Sequence, residues 1–332
     1  MLSELSAELR TALGVRHKRE IQVAARGLPK LRGGPWGPAE VRLGDDTAAI
    51  PDGAGGYLLL AAEGMWPELV ASEPRFAGFC AVLVNASDVY AMGGRPLALV
   101  DALFAGDAQT AEPILAGMAD AAARLDVPIV GGHTNLHSPY PALAAAILGR
   151  ARALLTSFDA RPGHELIAAI DLRGDMHPRH AFWNAATDAP GQRLREDYAV
   201  LPWLADQGLA AAAKDISMGG LIGTTLMLAE ASGVGATLFL DAIPRPAGVP
   251  WIRWLLAFPS YGFLLAVPTE RSAQVRAAFA ARDIAAAVIG RVETGHVVAL
   301  ASASSEGPAR SVELWDLAET PLTGFDGGES TS

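Results

Sequence analysis

Residues 79–94 read FCAVLVNASDVYAMGG, an apolar stretch of helical length with two polar residues, Asn85 and Asp88, set three apart in it. Residues three apart share a helix face, so their oxygens point the same way. Polar groups embedded in an apolar run are costly unless something binds them. With Ser87 at the edge, the pair offers hard oxygen ligands to a cation or to a phosphate-bound metal. The run Gly93-Gly94-Arg95-Pro96 then stops the helix.

Upstream, residues 43–50 read LGDDTAAI and lead into a Pro-Asp-Gly turn at 51–53. Adjacent carboxylates repel unless a metal or hydrogen bonds stabilise them, so Asp45 and Asp46 beside Gly44 suit a cation-holding loop. Taken alone, the pair reads equally well as a solvated surface turn.

At 332 residues the chain is long enough for two domains, and 51% apolar content supplies a sizeable core. No apolar run reaches the length of a membrane span, and residues 1–19 lack the basic-then-apolar order of an export signal. A cytoplasmic location without membrane contact is therefore expected. The lone cysteine, Cys80, excludes a disulfide framework and sits where a core residue belongs. A net charge of −10 argues against a nucleic-acid surface. The most basic segment, Arg16-His17-Lys18-Arg19, precedes a Gly/Pro-rich stretch at 32–38. Lys18 or Arg19 can meet phosphates there, or the stretch is an ordinary connection; it lacks the spacing of a P-loop.

Hydrophobic periodicity predicts strands over 57–62, 97–104, 127–130 and 142–148, with helices over 76–92 and 111–125. Gly131-Gly132 is read as the end of the third strand. A boundary falls near 150–162, which divides the chain into domains 1–155 and 156–320 and a polar tail, 321–332. The second half begins with a strand over 164–170. It continues through Lys214-Asp215-Ile216-Ser217-Met218-Gly219-Gly220 to a helix over 221–231, stopped by Gly233, and a strand over 236–240. Ser217 is placed to cap that helix. Residues 175–180, DMHPRH, suggest a metal cluster, but the proline favours a surface connection. Trp183, Trp203, Trp251 and Trp254 read as packing residues.

Four ordered motifs carry a resemblance: LGDDTAAI at 43–50, NASDVYAMGG at 85–94, VGGHTN at 130–135 and KDISMGGL at 214–221. In that order they resemble the aminoimidazole ribonucleotide (AIR) synthase, or PurM-like, superfamily. Thiamine-monophosphate kinase, selenophosphate synthetase and the hydrogenase-maturation dehydratase are other members. The resemblance implies a two-domain α/β (α+β) fold whose N-terminal domains pair across a homodimer into a composite β-barrel. It also implies ATP and Mg2+ near that interface. Asp45, Asp46 and Asp88 would be metal ligands, and Asn85, Asn135 and Ser217 would order the nucleotide; Lys18 is a candidate for the same role from its basic segment, not from the resemblance. His133 and Asp215 would be the catalytic pair, and Ser260 and Tyr261 would lie near a substrate pocket.

The departures bear on function. Where kinase and selenophosphate relatives often carry Thr-Asp, this chain has Ala61-Ala62, and Glu63 becomes the nearest carboxylate and a candidate metal ligand. Met218 replaces the second acid of the Asp-Val-Ser-Asp pattern, and its soft thioether does not ligate a hard cation. This argues against thiamine-phosphate kinase activity. With Cys80 alone, the cysteine chemistry of the selenophosphate and hydrogenase-maturation enzymes is missing. The expectation is a Mg2+-dependent, ATP-binding enzyme that activates or phosphorylates a small polar acceptor. The alternative is a nucleotide-binding or structural homodimer without catalysis.

Overall fold

The computed structural model describes residues 2–27, 41–302 and 310–325. The Gly/Pro-rich stretch at 32–38 and most of the expected polar tail lie outside these. Among these residues fourteen strands run in chain order: β1 Ala48–Pro51, β2 Tyr57–Gly64, β3 Arg95–Phe104, β4 Ile129–Asn135, β5 Ala142–Ala151, β6 Glu165–Ile170, β7 Asp175–Met176, β8 Trp183–Asn184, β9 Ala212–Asp215, β10 Gly235–Phe239, β11 Gly262–Val267, β12 Ala285–Glu293, β13 Val297–Ser302 and β14 Arg310–Asp316. They form a five-stranded sheet, β1-β2-β5-β3-β4, a seven-stranded sheet, β14-β13-β10-β12-β6-β11-β9, and the small hairpin β7-β8. No helix among the described residues is long and apolar enough to cross a membrane.

The two-sheet α/β architecture agrees with expectation, but the barrel does not form. Among the described residues no sheet closes: β1 pairs only with β2, and β4 only with β3. These edges stand four strand spacings apart, roughly 19 Å, so neither can satisfy the other's open hydrogen bonds.

The helix Pro74–Ala91 is the hub of the fold. Proline at its first turn costs no hydrogen bond. At its other end Gly93 takes φ 78° and Gly94 donates its amide to the Val89 carbonyl at 2.9 Å, closing the helix with a glycine cap. Most of its surface is buried between the five-stranded sheet, the helix Ala108–Leu125 and β9 of the other sheet. Gly78 and Gly117 let the two helices approach closely: a Cβ at Gly78 would stand 2.0 Å from the Ile114 carbonyl oxygen, and one at Gly117 1.9 Å from that of Arg75. One apolar core accordingly joins Leu59, Val89 and Ile147 of the first half to Phe263 and Leu265 of the second. A second core, around Trp254, Leu264 and Leu300, fills the other side of the seven-stranded sheet.

Two local readings are corrected. β4 continues through Gly131 and Gly132 to Asn135, because parallel pairing with β3 holds these residues extended. Ser217 does not cap the following helix by its side chain. Gly219, at φ 92°, occupies the cap position of Gly220–Ser232, and the Ser217 hydroxyl instead accepts a hydrogen bond from Lys18 Nζ at 3.1 Å. Trp183 and Trp254 pack edge to face, with ring centroids 5.2 Å apart, whereas Trp203 is 40% exposed.

Candidate functional site

Three segments remote in sequence meet at one end of the helix Pro74–Ala91. The loop before β1 brings Asp46, the last turns of the helix bring Asn85 and Asp88, and the end of β9 brings Asp215. Carboxylate oxygens of Asp46, Asp88 and Asp215 all lie within 4.8 Å of one another. Asn85 and Asp88 are on one face, one turn apart, as their spacing requires. Asn85 donates its Nδ2 to the Ala81 carbonyl at 2.8 Å, which leaves its Oδ1 buried without a hydrogen-bond partner among the described residues. Asp88 Oδ2 is likewise buried and unpartnered.

Two ammonium groups enter the same space. Lys214, on β9, ion-pairs with Asp46 and donates to the Ser157 hydroxyl at 3.1 Å. Burial alone would lower its pKa, but Asp46 and Asp45 outweigh burial and raise it. Lys18 is held by Ser217, and burial is the main cause of its lowered pKa, against the attraction of Asp215 and Glu63. Asp215 also donates its backbone amide to Asp46 Oδ2 at 3.4 Å and accepts the Ser260 hydroxyl on Oδ2 at 3.1 Å.

Among the described residues, the carboxyls of Asp46, Glu63, Asp88 and Asp215, with Asp45 close by, are balanced by two ammonium groups, Lys18 and Lys214. That excess of acid calls for cations or protons. Burial, then Asp215, Glu63 and Asp46, push the Asp88 carboxyl well above the ordinary carboxylate range. Burial, reinforced by Asp46 and opposed by Lys214 and Lys18, pushes Asp215 up to about 7.

The other expected site residues stand elsewhere. Asp45 is turned to Ser157, accepting its amide at 2.9 Å and its hydroxyl, so it fastens the loop rather than joining the three acids. Glu63 projects from the same face of β2 as buried Leu59 and half-buried Ala61 and keeps open surface. Crowding by the protein, with Asp46, raises its pKa against Lys18. His133 pairs in register with Ala102, next to Val100 on the outer, solvent-facing side of the sheet, opposite the helix. Within one chain it does not reach the acids. Asn135, at the end of β4, accepts the His137 amide at 2.8 Å. Ser260 reaches Asp215, while Tyr261 lines, with Tyr198 and Phe279, a cavity of about 30 Å³. Sequence reasoning missed Lys214 and Ser157. The signal for Lys214 was a lysine directly after the run of alanines 210–213, which marks a charge on a buried strand.

Comparison with known proteins assigns the family. Residues 44–151 match the AIR synthase related protein, N-terminal domain, and residues 180–301 match the AIR synthase related protein, C-terminal domain. The chain belongs to the AIR synthase related family. The uncharacterized protein sll0787 of Synechocystis is 52% identical over 98% of this chain and 99% of its own length. Selenide, water dikinase of Myxococcus xanthus is 27% identical over 76% of this chain and 83% of its own. Among solved structures, PurL of T. maritima complexed with ATP superposes with a TM-score of 0.70 at 22% identity, over 91% of this chain. That likeness is one of fold, and the chain spans about half the length of the PurL chain, 49%.

Proposed function

We propose that this protein is a Mg2+-dependent, ATP-using enzyme that activates or phosphorylates a small polar metabolite. The observation that carries the reading is the meeting of Asp46, Asp88 and Asp215 within 4.8 Å, beside oxygens of Asn85 and Asp88 that are buried and unpartnered among the described residues. These donors are hard oxygens, so they fit a hard divalent cation. Asp46, Asp88 and Asp215 would hold it, with Asn85 and Glu63 beside them. When bound, Mg2+ neutralises charge on the phosphate oxygens during transfer. An ATP-complexed PurL of the same fold supports the choice of nucleotide.

The chain's own residues supply the rest. Lys18 and Lys214 bring positive charge to nucleotide phosphates at a buried site, where it is weakly screened. Asp215 keeps its carboxylate turned into the cation site, where a bound dication would hold it ionised. Ser260 holds the Asp215 carboxylate in place. The acceptor enters from the second domain, residues 156–320, against the first, residues 1–155.

A homodimer is part of the reading. Leu60, Val100 and Leu148 expose apolar surface on the outer face of the five-stranded sheet, at 48%, 41% and 38%. Leu60 and Leu148 are directly opposite in register. A second copy would cover this face together with His133 and Asn135, and Val100→Asp tests it by sedimentation.

Calorimetric titration of ATP with Mg2+, repeated with chelator, tests the core of the proposal. Mg2+-dependent binding, followed by ADP or phosphate release on addition of an acceptor, supports an enzyme. Binding without turnover across acceptor classes favours a nucleotide-binding homodimer, and no binding in either condition rejects both.

A further inference from the structure

A second cluster of ligating side chains lies at the opposite end of the helix Pro74–Ala91. Glu73, just before its first residue, His177 and His180 bring a carboxylate oxygen and two imidazole nitrogens within 4.8 Å of one another. Fifteen residues of helix separate Glu73 from Asp88, about 22 Å at ~1.5 Å per residue. This cluster is therefore independent of the acidic site. It joins the two halves of the chain, one ligand from the first and two from the second.

The local geometry is that of a prepared site. His177 Nδ1 accepts the backbone amides of Arg179 at 3.2 Å and His180 at 3.1 Å, which puts the ring proton on Nε2, 3.0 Å from the Glu73 carboxylate. His180 Nε2 is buried with no hydrogen-bond partner among the described residues. Arg253 grips the loop from behind through the carbonyls of His177 at 2.6 Å and His180 at 2.8 Å. Trp66, Phe76 and Phe182 wall the imidazoles, the Trp66 and His180 rings standing edge to face at 5.2 Å.

We propose that Glu73, His177 and His180 form a binding site for a transition-metal dication of the Zn2+ class that clasps the loop 177–180 to the start of the central helix. Two imidazoles and one carboxylate are a donor set that Zn2+ takes in tetrahedral geometry, with a fourth position left open. Bonds of about 2.0–2.1 Å place neighbouring ligand atoms about 3.3 Å apart in that geometry. The His177–Glu73 separation is already close to this, and His180 closes the remainder by turning its ring. Binding releases the Nε2 proton of His177 to solvent. The Arg179 guanidinium, which shares Glu73, has a side chain 61% exposed and swings into water. The reading of residues 175–180 as a mere surface connection is revised accordingly: Glu73, the missing ligand, comes from a hundred residues earlier.

The test is titration of metal-stripped full-length protein with Zn2+ in excess Mg2+, so that the aspartate cluster is not the site read. Calorimetry gives stoichiometry, and Co2+ absorption in the visible gives coordination geometry. Expected is one Zn2+ per chain with a tetrahedral Co2+ spectrum, lost or weakened by about 100-fold or more in His177→Ala and His180→Gln. That exceeds the roughly 10–100-fold cost of losing an outer-shell partner. Asp88→Asn binds Zn2+ as the wild type does. His180→Gln removes no hydrogen bond of His180 Nε2, so it remains informative if His177→Ala fails to fold. Zn2+ affinity unchanged in His180→Gln, or no binding by the wild type, overturns the proposal and leaves an ion-paired clasp of Glu73, His177 and Arg179.

Discussion

Lys214 and Asp46 form an ion pair across 168 residues, with side chains 1% and 7% exposed. The pair ties the loop before β1 to the end of β9 and sets the floor of the acidic cluster. Removing one partner leaves the other charge buried. Lys214→Met should therefore cost about 3–5 kcal/mol in urea unfolding without added metal. The double variant with Asp46→Asn should recover part of that loss. A cost below about 1 kcal/mol, the range of surface pairs, would mean that the pair is not a fastening.

Asp215 makes the stability of the metal-free protein depend on pH. Its carboxyl is raised to about 7 in the folded chain, chiefly by burial, and returns to about 3.9 on unfolding. The folded state thus holds the proton more tightly. The resulting stability is complete below about pH 4 and is lost as pH rises through about 7. Thermal unfolding of metal-free protein should fall over this window relative to Asp215→Asn. Other carboxyls titrate in both proteins, so the difference between the two curves isolates Asp215. Parallel curves would sink the assignment.

Asp88 should separate binding from folding. Asparagine keeps the shape and removes a carboxylate that is buried among other acids. Asp88→Asn is expected to match or exceed the wild type in metal-free stability, with the larger margin at pH 8 than at pH 5. It should also lower Mg2+-dependent ATP affinity by tenfold or more, about 1.4 kcal/mol. Calorimetry and thermal unfolding on the same samples give both readings. Loss of stability with unchanged nucleotide affinity would make Asp88 a structural residue.

Which parts of this were legible in the sequence follows from what local physics can carry. Helix periodicity put Asn85 and Asp88 on one face, and the glycine pair marked the helix end correctly. Strand positions followed from apolar patterning, because each buried strand is a short apolar run. The convergence of Asp46 with Asp215 was not local. It depends on β9 being the edge of a sheet whose neighbour, β11, arrives some fifty residues later. Asp45 and Asp46 were indistinguishable as neighbours, and only packing turned one to Ser157 and the other to Lys214. The side of the sheet that His133 faces depended on its register with β3, which no residue of β4 encodes alone. The open edges of β1 and β4 decided the barrel question, and edge pairing is a property of the whole sheet.

The closeness of the two long helices makes a last prediction independent of any ligand. At Gly117 a Cβ would stand 1.9 Å from the Arg75 carbonyl oxygen and 2.9 Å from the Phe79 amide nitrogen. Backbone cannot yield as a side chain does, so Gly117→Ala must separate the helices. Alanine's better helix propensity, worth about 1 kcal/mol, works in the opposite direction. Overpacking costs roughly 1–3 kcal/mol or more, so a net loss of about 1–2 kcal/mol is expected in urea unfolding. The same displacement loosens the packing around Cys80, whose thiol is buried and held far above its ordinary pKa by burial and Glu73. Folded wild type should therefore leave a thiol reagent unreacted at pH 8, and Gly117→Ala should react faster. Stability equal to wild type in Gly117→Ala, or prompt labelling of folded wild type, would contradict this packing.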